Sequence, residues 1–165
     1  MDTIAKILSF LMFPLFMPLY GVILLFNLEI FSFYPAFYMK GTFLTVVLLG
    51  ILVPIFSLYI LWRFGVISDF RVYKREDRVI PYIFTAIAYF FVSYMLYRLA
   101  MPLYVVNIAI GVAFATLVDA IVSLKWKISA HATGIGGLTS AVVSIRYWTH
   151  ANATMLIAIL FLATG

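Results

Sequence analysis

Leu103-Tyr-Val-Val-Asn-Ile-Ala-Ile-Gly-Val-Ala-Phe-Ala-Thr-Leu-Val-Asp-Ala-Ile-Val-Ser-Leu124 is a run of 22 residues with a single charge, Asp119. About 20 such residues carry a helix across roughly 30 Å of hydrocarbon, where irregular backbone and open strand edges go unsatisfied. The run therefore reads as a membrane-spanning helix. An ionised Asp119 inside it is costly and expects a cationic partner.

Working outward, Arg98-Leu-Ala-Met-Pro102 is long enough only for a tight connection, so the preceding apolar segment, Pro81 to Tyr97, must return antiparallel. A second span covers Thr42 to Trp62 and contains Pro54, which should bend it. The first covers Ile4 to Phe26, and its Pro14 and Pro18, with no small-residue cleavage site, argue for a retained span and against a signal peptide. Between these two, Glu29 to Lys40 mixes aromatic and polar residues as an interfacial connection does. Downstream, His131 to Ile145 makes a fifth span rich in small residues, and a sixth runs from His150 to Gly165.

The expected fold is all-α: a polytopic membrane bundle of about six transmembrane helices, one integral membrane domain over residues 1–165. Composition agrees, because 66% of residues are hydrophobic and 10% charged, against about 25% charged in soluble domains. The absence of cysteine removes disulfides, thiol nucleophiles and cysteine metal sites. A net charge of +5 does not point to nucleic acid, since the cations flank spans and do not form one soluble basic face.

Two spans separate the connectors Gly65–Ile80 and Lys125–Ser129, which therefore share a membrane face. The first holds seven of the seventeen charged residues. That face, with the amino terminus, carries Lys6, Arg63, Arg71, Lys74, Arg75, Arg78, Lys125 and Lys127, against Lys40, Arg98 and Arg146 opposite. Positive-inside bias makes it cytoplasmic, although phosphate binding would create the same asymmetry.

A phosphate ester needs cations on its nonbridging oxygens, donors for the transition state and an acid for the leaving oxygen. Arg71 and Arg78 offer paired guanidinium donors, with Lys74 and Arg75 as helpers; Ser129 offers a hydroxyl and His131 an acid or base. Gly134, Gly136 and Gly137 suit helix packing better than a nucleotide loop, because no strand precedes them.

These residues resemble the type 2 phosphatidic acid phosphatase superfamily, whose first motif is Lys, six residues, Arg-Pro and whose second is Pro-Ser-Gly-His. Arg71, six residues and Arg78 are similar to the first, with Arg for Lys and Val79 for Pro; Ile128-Ser129-Ala130-His131 is similar to the second at Ser and His. The resemblance covers Arg71 to Gly137. It implies that Arg71, Arg78 and Ser129, helped by Lys74, hold phosphate, that His131 protonates the leaving group, and that no metal or cofactor is needed. The implied partner is a phosphorylated lipid such as phosphatidic acid, phosphatidylglycerol phosphate, a polyprenyl diphosphate or lipid A phosphate, in a bacterial inner membrane.

The family's third motif, Ser-Arg, five residues, His, three residues, Asp, supplies the nucleophilic histidine. Ser144-Ile-Arg146-Tyr-Trp-Thr-His150 has similar ingredients at a different spacing and on the opposite face. The motif is expected beyond Gly165, where a sixth span would return to the active face. A transporter lined by Asp119 and Asn107, or a noncatalytic binder of anionic lipid, are the competing expectations.

Overall fold

The structure is a computed structural model that describes residues 14–27, 34–70, 72 and 74–149. It is helical, with no strand among the described residues. The chain divides into two compact units, Pro35–Ser129 and the combination of Met1–Tyr34 with Ala130–Gly165.

In the first of these, helix α2 runs Ala36–Arg63, α3 Val79–Arg98 and α4 Leu103–Ser123. The described chain has three helices long and apolar enough to cross a membrane, formed by Ala36–Arg63, Glu76–Arg98 and Leu103–Ser123. They correspond to the expected second, third and fourth spans. The second begins earlier than expected, because Pro35, in an extended conformation, caps a helix that takes in the aromatic stretch up to Lys40. Pro54 does not end this helix. The stretch Val46–Leu52 before it winds as a wider π-helix, which gives the proline ring room against the preceding turn.

Helices α3 and α4 form an antiparallel hairpin. Thr85, Ala88, Tyr89, Val92 and Leu96 recur at helical spacing as the buried face of α3. On α4, Ala113 and Ala120 are buried seven residues apart, and small side chains at such positions let backbones approach closely. Phe90 meets Phe114 edge to face with ring centroids 5.2 Å apart. Helix α2 lies on α3, where the Tyr89 ring packs beside Gly50. Outward, Phe56, Phe84, Ile87, Phe91 and Phe114 are exposed, as suits lipid contact. The hydroxyls of Thr85, Ser93 and Thr116 donate to carbonyls in the preceding turn, which satisfies them within apolar helices.

Both α2 and α3 end in the same motif. Val66 N donates to Leu61 O and Gly65 N to Trp62 O; Met101 N donates to Leu96 O and Ala100 N to Tyr97 O. This is the paired bonding that closes a helix through one left-handed residue. Gly65 takes that conformation at φ 71°, and Ala100 takes it at φ 52° despite its Cβ.

In the other unit, α1 (Met17–Phe26) packs on α5 (Ala130–Thr149) through Met17, Ile135 and Leu138, flanked by Tyr20 and Leu24. Gly21 lets a Leu138 methyl approach to 3.6 Å of where a Cβ would stand. Gly136 and Gly137 have nothing within 4 Å of such a Cβ, so the close packing expected of these glycines is not realised at those two positions among the described residues. The expected sixth span, His150 to Gly165, lies outside the described residues, as do residues 4–13 of the first.

Candidate functional site

The cation-rich connector 64–78 is folded by its own side chains. Ser68 donates to Asp77 Oδ2 from its backbone N at 2.9 Å and also from its hydroxyl, drawing the start of the connector to its end. Val72 N donates to Asp69 O at 2.9 Å, closing a turn that puts Val72 at φ 53°. A β-branched residue in the left-handed region is strained and persists only where its surroundings hold it. Arg78 does so: its Nε donates to the Val72 carbonyl at 3.0 Å.

The same guanidinium reaches the second connector. Arg78 Nη1 donates to Ile128 O at 2.7 Å, and Arg75 Nη1 donates to Lys125 O at 2.7 Å. The two connectors that span counting places on one face are thus joined directly. Arg75 Nη2 also meets Glu76 Oε1 at 3.1 Å, an exposed pair that contributes little stability.

One turn along α3, Tyr82 interacts electrostatically with Arg78 and with Asp119 on α4. This end of the hairpin therefore holds charges of both signs.

Of the residues singled out in the sequence, Arg78 and Ser129 are brought to one end of the α3–α4 unit, Ser129 following the Ile128 whose carbonyl Arg78 holds. Lys74 is exposed on the same connector and acts electrostatically on Asp77. Ser129 immediately precedes α5, the position at which serine is favoured as an N-cap. His131 is exposed in the first turn of α5 and belongs to the other unit. Arg71 lies outside the described residues, and so does His150.

Arg75 and Tyr82 are the residues whose part the sequence reading missed or understated. Arg75 sits one turn before Arg78 and Tyr82 one turn after it, so helical spacing around the arginine was the available signal.

This end of the unit carries guanidinium, ammonium and hydroxyl donors in Arg78, Lys74 and Ser129. Such a set recognises an anion. Among the described residues there is no group of three or more His, Cys, Asp or Glu able to hold a metal ion. No family model, no curated protein and no solved structure matches the chain.

Proposed function

We propose that this protein is a membrane lipid phosphatase or diphosphatase, working at headgroup level on a phosphorylated lipid, in a bundle of about six spans in a bacterial inner membrane. The observation that carries the reading is the Arg78–Ile128 bond, which couples the cation-rich connector to the segment bearing Ser129. In this reading Arg78, with Arg71 and Lys74, holds the nonbridging oxygens, and Ser129 donates a further hydrogen bond. Arg78 has five donors, and its contacts with Val72, Ile128 and Tyr82 engage only part of them. His131 protonates the departing oxygen.

The test is phosphate release from phosphatidic acid, phosphatidylglycerol phosphate and polyprenyl diphosphate by the protein in liposomes. Removing a transition-state donor or general acid lowers the rate about 10²-fold or more, so His131→Ala and Arg78→Ala should each do so. Unchanged rates in both variants would sink the assignment.

A second reading, a noncatalytic binder of anionic lipid, is favoured by one observation: both Arg75 and Arg78 direct Nη1 at backbone carbonyls. It predicts retained binding to anionic vesicles with no turnover of any of these lipids.

A further inference from the structure

The turn at Glu76–Arg78 and the connector 124–129 meet in matching register. Arg75 bonds to Lys125 O and Arg78 to Ile128 O, so three residues along one segment correspond to three along the other. The connector has no regular structure from Lys127 to Ser129, and its geometry there depends on what holds it from outside. Arg75 is suited to that task, since one Nη reaches Lys125 O while the other is steadied by Glu76. A lysine, with one compact ammonium, cannot hold both acceptors in a fixed plane.

We infer that Arg75 and Arg78 form a two-point latch on the 124–129 connector, in which Arg75 is a positioning residue that sets Ser129 and does not itself contact the phosphate. Arg78 also holds the strained Val72 carbonyl, so the latch joins both connectors, and loss of Arg75 removes one of its two arginine contacts with the second connector. The consequence for catalysis rests on the lipid phosphatase reading; the latch does not.

The chain contains no cysteine, so Ser123→Cys introduces a single thiol. Ser123 lies at the base of the connector and is 1% exposed, so its thiol reports opening there. Reaction with a maleimide should be slow in Ser123→Cys and about tenfold faster once Arg75→Gln is added, a change of about 1.4 kcal/mol in the opening equilibrium. Adding Arg75→Lys should leave it fast. Turnover in Arg75→Gln and Arg75→Lys should fall in kcat, with KM within about twofold of the parent.

An unchanged thiol rate in Arg75→Gln overturns the latch. A raised KM restored by Arg75→Lys overturns the positioning role and makes Arg75 a phosphate ligand. A faster thiol with no phosphate release from any lipid by the parent protein supports the latch and defeats the phosphatase reading. If Ser123→Cys does not fold, spin labels at Phe70→Cys and Lys127→Cys, both exposed, give the second readout. Their distance distribution should be narrow with Arg75 and broad with Gln, and equal widths overturn the latch.

Discussion

Arg78 Nη1 lies 2.7 Å from the carbonyl oxygen of Ile128, the residue before Ser129, and across 50 residues of chain. The same side chain holds the Val72 carbonyl from Nε. One guanidinium therefore bonds to both connectors at the end of a helical hairpin. Hydrogen bonds from a charged donor contribute about 1.5–3 kcal/mol each.

Arg78→Ala should lower the stability of the α3–α4 unit by about 3 kcal/mol, since it removes two charge-assisted bonds and the support of Val72. Arg78→Lys should recover less than half of this, because an ammonium cannot bridge the two carbonyls in one plane. Thermal unfolding in detergent, followed alongside phosphate release, separates the two effects. A lysine variant as stable as the parent would show that charge alone suffices.

Tyr82→Phe removes a hydroxyl that links Arg78 to the neighbourhood of Asp119 while keeping the ring. The expected loss is about 1 kcal/mol of stability. It should be non-additive with Arg78→Ala, because residues in one network share their energy. A double-mutant cycle measured by thermal unfolding checks this, and strict additivity would remove Tyr82 from the network.

The two helix ends make a paired prediction of opposite sign. Ala100 occupies at φ 52° the position that Gly65 occupies at φ 71°, and a Cβ in that region costs about 1–2 kcal/mol. Ala100→Gly should raise stability by about 1 kcal/mol and Gly65→Ala should lower it by a similar amount. Nothing lies within 4 Å of a Cβ at Gly65, so the second effect comes from backbone conformation and not from crowding. Equal signs in the two variants would refute this account of the turns.

The second to fourth spans were legible because apolar length between charges is a direct readout of bilayer thickness. Their parity was enough to bring the two connectors together, as the Arg75 and Arg78 bonds do. What those arginines touch was not legible. Their acceptors are backbone carbonyls, which every residue carries, so no residue type at 125 or 128 announces the contact. Ala100 hid its turn for a related reason, since alanine gives no sign of a left-handed conformation. The early start of α2 was missed because Phe37 and Tyr38, which suit an interfacial connection, suit a lipid-facing first turn equally well.

Among the described residues, Thr42 and Ser123 have buried hydroxyls with no hydrogen-bond partner, and Thr42 is 1% exposed within the second span. An unsatisfied buried hydroxyl costs about 1–3 kcal/mol, whereas an isosteric methyl in its place carries no such penalty. Thr42→Val should therefore raise stability by about 1 kcal/mol, seen as a higher Tm in detergent. Thr85 is the control. It too is buried, but its Oγ1 donates to Pro81 O at 2.8 Å, so Thr85→Val gives up a bond and should be neutral or destabilising. Both substitutions keep the branched shape and similar helix propensity, so their difference isolates the hydroxyl. A fall in Tm for Thr42→Val as large as that for Thr85→Val would mean that Thr42 Oγ1 is hydrogen-bonded after all, and the assignment of an unsatisfied group at the start of α2 would be withdrawn.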